Sequence, residues 1–174
     1  MPVPNCKSDM EILSIEETPN SKSTTNEKGE MTAEEVAKKV KPSIVGVIVS
    51  QTSQNMIGQS QNESDEGTGI IMGEDKTGEY TYIITCAHVI SGNNVKATVQ
   101  LENGSSHDAD VVGYDERSDV GVLRIKASGL QAATFGDSSK LAVGQQVFAI
   151  GNPLGTEFFG TLTGGIVSAI DRPI

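Results

Sequence analysis

Long apolar runs are missing from this sequence. The longest, Ile44 to Val49, is already interrupted by Gly46, far short of the roughly 20 residues a helix needs to cross a bilayer. Met1 to Met10 has neither the basic start nor the apolar centre of a secretory leader, so any export signal is expected to have been removed or to lie outside this stretch. Cysteine is scarce too. Cys6 in the polar start and Cys86 beside a histidine form neither a disulfide framework nor a zinc pattern, which leaves the redox compartment open. There are 2 histidines, His88 and His107, so a histidine-rich metal centre is not expected and no cofactor is implied. Basic charge is in short supply as well: 13 Lys and Arg against 23 Asp and Glu give a net charge of -10. Phosphate recognition needs a clustered basic face, and these basic residues are scattered, so nucleic acid is not an expected partner.

What is present suits one folding unit, at most two-lobed. Residues 1 to about 31 are rich in Ser, Thr, Asn, Glu and Lys with little periodicity, and are expected to be a disordered linker or tail. Order begins at "TAEEVAKKVKPS": Thr32 can cap a short helix with Glu35 three residues on, Val36 and Val40 share a face, and Pro42 ends it. The period then changes. Six short β-branched segments, 43–50, 67–73, 80–85, 95–101, 108–114 and 119–125, are bounded by Gly, Asn, Asp and Ser, which predicts an antiparallel barrel or sandwich. The polar stretch Gln51 to Glu66 is expected to be an exposed, mobile insertion. "ENGSS" at 102–106 holds the Asn-Gly pair favoured in two-residue hairpin turns. Two more strands, 145–151 and 161–170, flank a loop with Pro153 and several glycines. Two strands cannot close a barrel, so unpaired edges, a half-covered apolar face and a comparatively mobile tail after about Gln145 are expected.

"ITCAHVI" at 83–89 sets His88 just after the third strand, and Asp119 opens the sixth. A lone histidine at a strand end is more often structural than catalytic, and Asp119 competes on residue type with Asp108, Asp110 and Asp115. Its bland role is a turn residue bonded to nearby backbone. Five blocks in order change the weighing: "GTGIIM", "YIITCAHVI", "YDERSDVGVLRI", "FGDSSKLAVGQQVFAIGNPLG" and "TGGIVSAI". Together they resemble the protease domain of the HtrA/DegP family of trypsin-like serine endopeptidases, from about residue 33 to the end. The resemblance implies an all-β fold: a trypsin-like antiparallel β-barrel with the first barrel complete, the second partial, and a short N-terminal helix. It divides the chain into a linker over 1–31, helix and first barrel over 32–127, and crossover with incomplete second barrel over 128–174. His88 becomes the general base and Asp119 the carboxylate that orients it; only Asp119 sits in the matching "SDVGVL" frame.

The family's serine lies in a Gly-Asn-Ser-Gly-Gly-Pro stretch that these 174 residues do not contain. "GDSSK" at 136–140 is a decoy, since Ser139 and Lys140 follow Ser138 where two glycines are needed to aim backbone N–H groups at an oxyanion. Cys86, where the family usually has asparagine, is two residues from His88 and on an extended strand would share its side, but neighbours on one strand rarely present nucleophile and base to one carbon. Gly121 replaces a common alanine and is expected to weaken its strand by about 0.5–1 kcal/mol. In the family the loop after Gly-Asn-Pro takes part in switching the site on, so Phe158 and Phe159 are expected either as its packed part or as a cover on the second barrel. The expected function is therefore serine-type proteolysis for protein quality control, with unfolded or damaged proteins as substrates, homotrimer formation by family, and a cell-envelope location outside the cytoplasm. This chain, holding base and acid but no nucleophile, is expected to be inactive alone. The alternatives are a catalytically dead peptide-binding pseudoprotease, which adds peptides to a strand edge, and a purely structural barrel with His88 inert.

Overall fold

A computed structural model describes residues 31–54, 60–92, 95–153 and 155–171. The 1–31 linker therefore falls, but for its last residue, outside the described residues. Helix α1, Ala33–Val40, opens as its sequence dictates. The Thr32 hydroxyl accepts from the Glu35 amide at 3.3 Å and the Glu35 carboxylate accepts from the Thr32 amide at 2.7 Å, a reciprocal cap that satisfies donors the first turn leaves open. Pro42 cannot continue the ladder, and the chain passes through a 3₁₀ turn, Lys41–Ser43, into the first strand.

Six strands then close into one barrel: β1 Ile44–Gln54, β2 Ser60–Glu74, β3 Thr81–Thr85, β4 Lys96–Gln100, β5 Ser106–Asp115 and β6 Val120–Ile125. Their order around the barrel is β1-β2-β3-β6-β5-β4, every pair antiparallel, and β1 meets β4 to remove the edges. A one-turn helix, α2, Ala87–Ile90, leads away from β3. Alternation decides what faces in. Thr81, Ile83 and Thr85 of β3, Ala97 and Val99 of β4, and Gly121, Leu123 and Ile125 of β6 are buried in turn, and with Val45, Val47, Val49, Ile71, Val89 and Ile90 they fill the barrel. The two buried threonines each find an acceptor: Thr81 donates to the Ala127 carbonyl and Thr85 to the Thr68 carbonyl, both at 2.8 Å.

Two sequence expectations are corrected. Within the stretch 51–66, the described residues 51–54 and 60–66 are paired strand and not an insertion, while 55–59 lie outside the described residues: β1 and β2 stay in register from Ile44↔Ile70 to Gln54↔Ser60, because backbone pairing asks for no particular side chain. The "ENGSS" turn is not the two-residue kind. Leu101 and Ser105 are the last bonded pair, the Gly104 amide donates back to the Leu101 carbonyl at 2.9 Å, and Gly104 takes a left-handed φ of 82°. That is a three-residue loop with glycine at its left-handed position.

Beyond β6 the chain is strapped to the first barrel, with the Ala133 amide donating to the Ile71 carbonyl at 2.9 Å and the Gln131 side chain to the Lys39 carbonyl at 2.7 Å. The second lobe is a two-stranded sheet, β7 Gln146–Gly151 with β8 Thr161–Ile166. Phe135 and Val143 before it, Ile166 at its end and Ile170 beyond it are exposed. No helix among the described residues is long and apolar enough to cross a membrane.

Candidate active site

The segment "AHVI" explains the placement of His88. Ala87, Val89 and Ile90 are all buried against the barrel end, so the fourth residue of the turn has only solvent to face, and the His88 side chain is 71% exposed. Asp119 reaches it from the turn before β6. That turn is built by Asp115, whose carboxylate accepts from the Arg117 amide at 3.1 Å and the Ser118 hydroxyl at 2.7 Å, an aspartate-nucleated turn of the usual kind. The chain leaves it with Asp119 at φ 55°, a left-handed conformation that costs other residues about 1–2 kcal/mol and that aspartate tolerates better than most.

Three contacts result. Asp119 Oδ2 lies 2.8 Å and Oδ1 3.0 Å from His88 Nδ1, and Oδ1 also accepts the His88 main-chain N–H at 3.0 Å. The Asp119 carbonyl in turn accepts from the Ala87 amide at 3.2 Å. The main-chain bond from His88, followed by the bond from its ring, holds the Asp119 carboxyl below its ordinary value, since donors to a carboxylate favour its charged form. A negative oxygen at Nδ1 selects the tautomer with the proton there. Nε2 is left with a free lone pair, the state a general base requires.

The structure brings His88 and Asp119 together and assigns the competing aspartates elsewhere. Asp110 pairs with Arg124 at 3.1 Å, Asp115 nucleates its turn, and Asp108 is exposed on β5. Cys86 is not on an extended strand with His88: it is the cap residue before α2, and its free thiol is exposed. Apolar side chains at 87, 89 and 90 pull this segment into a helical turn against the barrel end. Ser138 begins a 3₁₀ turn, Ser138–Lys140, whose Asp137 carboxylate accepts from the Ser139 amide at 3.0 Å and hydroxyl at 2.6 Å. Phe158 is not packed, being 51% exposed on the turn Thr156–Phe158.

Gly121 has a packing reason. A Cβ there would come within 2.5 Å of Ile90 Cδ1, so the glycine makes room for the isoleucine that anchors the His88 turn. Nothing in the sequence singles out Asn152, yet its buried side chain joins the lobes. Nδ2 donates to the Val45 carbonyl and Oδ1 accepts the Gly160 amide, each at 2.9 Å, while the Asn152 amide donates to Thr68 Oγ1 at 2.8 Å. The available signal was an asparagine wedged between an apolar strand and Pro153. A recess opens at this junction, lined by Thr68, Ile150, Asn152, Thr161 and Thr163 among others; His88 and Asp119 do not line it.

Residues 67–173 match the trypsin-like peptidase domain. Among curated proteins, the serine protease Do-like HtrB of Bacillus subtilis is 44% identical over 142 residues, 78% of this chain and 30% of its own length. A probable periplasmic serine endoprotease, DegP-like, of Halomonas elongata is 41% identical over 117 residues, 67% of this chain and 23% of its own. The chain thus spans under a third of either relative. An HtrA-type protease solved with a decapeptide superposes with a TM-score of 0.72 at 25% identity, over 82% of this chain and 46% of that one.

Proposed function

The chain belongs to the trypsin-like peptidase family, among its HtrA serine proteases, and from that premise we propose that it carries the base and the acid of a serine endopeptidase. The observation that supports this most is the double grip of Asp119 on His88, by ring and by main chain. His88 Nε2 takes the proton of a serine hydroxyl as that oxygen attacks the scissile carbonyl, then returns it to the leaving amine. Asp119 keeps Nδ1 protonated and stabilises the imidazolium in between. The nucleophile and its oxyanion donors belong to a serine block that these 174 residues do not include, and Ser138, held in its own local turn, does not replace it. Unfolded or damaged protein chains are the proposed substrates, outside the cytoplasm in the cell envelope, as the periplasmic relative's name suggests; a homotrimer is the proposed assembly.

A second reading has one observation in its favour. Among the described residues β7 and β8 pair only with each other, leaving edges to which an extended peptide can add without any chemistry.

A fluorophosphonate probe tests the first. This chain should take no label at serine, and the same chain extended by the serine block of a relative's second barrel should take label that His88→Ala abolishes. Label at a serine of the unextended chain, lost in His88→Ala, overturns the nucleophile assignment. Label on the extended chain that survives His88→Ala overturns the base.

A further inference from the structure

The geometry points to a site for a zinc-like cation on the dyad itself, with Cys86 as the added ligand and the base silenced when the ion is bound. One donor atom each from Cys86, His88 and Asp119 lie within 4.8 Å of one another. They converge from separate places: Cys86 from the residue before α2, His88 from inside it, Asp119 from the turn before β6. All three are exposed, so an ion reaches them without any opening of the fold.

The donor set decides the class of ion. Thiolate sulfur, imidazole nitrogen and a single carboxylate oxygen suit zinc and its softer neighbours, whereas calcium and magnesium take oxygen throughout. The distances are close to those needed. Zinc bonds of about 2.0–2.3 Å in a tetrahedron set the donors roughly 3.3–3.6 Å apart. His88 Nδ1 and Asp119 Oδ2 stand at 2.8 Å with a proton between them, and replacing that proton by an ion spreads them by about 0.5 Å. Cys86 has to close by about 1 Å, which rotation of an unpaired surface side chain about χ1 supplies. Water takes the fourth position, as in zinc sites with three protein ligands.

The consequence follows from proton bookkeeping. The working base carries its proton on Nδ1 and an open lone pair on Nε2. An ion bound at Nδ1 needs a lone pair on Nδ1 itself, so the ring proton moves to Nε2 and the ring stays neutral, and the thiol releases one proton to solvent; nothing is oxidised or reduced. Nε2 has become a donor and can no longer accept from a hydroxyl. Binding rests on the three residues alone, while silencing rests on the proposed role of His88, and the two are read separately.

Cadmium titrated into this chain should give a one-to-one complex with an ultraviolet thiolate-to-metal band, shifted His88 ring resonances, and displacement by zinc. Cys86→Ser should remove the band and weaken binding at least tenfold, His88→Ala should weaken it at least tenfold, and Cys6→Ser should leave it unchanged. Absence of the band, or binding indifferent to Cys86→Ser, overturns the site. In the serine-extended chain, zinc should slow fluorophosphonate labelling at least tenfold, and should not do so in Cys86→Asn, each judged against its own metal-free rate. Labelling that proceeds at full rate with zinc bound overturns the silencing and leaves the site; labelling that never depended on His88 overturns the base instead.

Discussion

Truncating Asn152 to alanine should unlatch the second lobe from the first barrel. The residue is only 5% exposed, and its side chain gives one donor to the Val45 carbonyl and takes the amide of Gly160, both at 2.9 Å. An orphaned buried polar group costs about 1–3 kcal/mol, so two lost partners set the penalty at about 2–6 kcal/mol before relaxation. Relaxation trims it, because the loop can lift and let water reach the freed groups, which brings the expected cost to about 2–3 kcal/mol. Amide exchange is the assay, read at a group the truncation does not touch. The main-chain N–H of position 152 donates to Thr68 Oγ1 at 2.8 Å and should lose protection by roughly 30- to 150-fold, at 1.36 kcal/mol per factor of ten, while β3 and β6 keep theirs. Asn152→Asp supplies a second arm. It retains an acceptor for Gly160 but sets a carboxylate against the Val45 carbonyl, so burial and repulsion raise its folded pKa above the unfolded value of about 3.9. The folded state then binds the extra proton, and stability falls as pH rises through the unfolded pKa toward the folded one. Unchanged exchange at position 152 in the alanine variant, or an aspartate variant no less stable at pH 7 than at pH 4, refutes the latch.

Asp119 should titrate below its ordinary 3.8 in a carboxyl-carbon NMR experiment. Because its folded value is depressed, the stability it lends is complete above the unfolded value and is lost as pH falls through the folded one. The main-chain bond from residue 88 is the largest cause, so His88→Ala should recover only part of the depression; full recovery contradicts that order. Gly121→Ala drives a Cβ to within 2.5 Å of Ile90 Cδ1 and should cost about 1–3 kcal/mol by overpacking. Ile90→Val deletes that methyl, so a double-mutant cycle in urea should show a coupling of at least ~0.5 kcal/mol, and strict additivity would count against the clash.

Much of the barrel is legible in the letters, because β-branched alternation and turn residues act locally. The reciprocal cap at Thr32 and Glu35 and four of the six barrel strands, β3 to β6, lie within a residue or two of where spacing puts them. What escapes is decided across the chain. The reach of β1 and β2 into polar sequence depends on each strand having the other as partner, which no window of residues reveals. The turn that takes His88 out of the strand line just after Cys86 comes from burial of Ala87, Val89 and Ile90 by the barrel end. Asn152 bonds to a carbonyl 107 residues away, and a lone asparagine in a proline-containing loop looks like ordinary turn chemistry. His88 and Asp119 stand out as candidates only in company, through ordered blocks; composition alone leaves three other aspartates equally eligible, and the structure adds the 2.8 Å contact between the two.

Exposure raises the question of what holds the dyad in place. With the His88 side chain 71% and the Asp119 side chain 48% exposed, water screens their attraction, and two unit charges about 4 Å apart in water gain only about 1 kcal/mol. Charge is thus a weak organiser here, in keeping with its place behind both hydrogen bonds among the causes of the Asp119 shift. Orientation has to come from the backbone. Asp119 accepts the His88 N–H with its carboxylate and the Ala87 N–H with its carbonyl, so the start of α2 and the start of β6 are stapled at two points whether or not the imidazole is charged. That independence suits the proposed role of His88 as a base, whose charge would come and go during a reaction: an orienting contact that relied on the imidazolium would weaken each time the proton left. The left-handed φ of Asp119 is the conformational cost of presenting both groups to one short helix, and the Asp115 turn, tied by Arg117 and Ser118, is what sustains it.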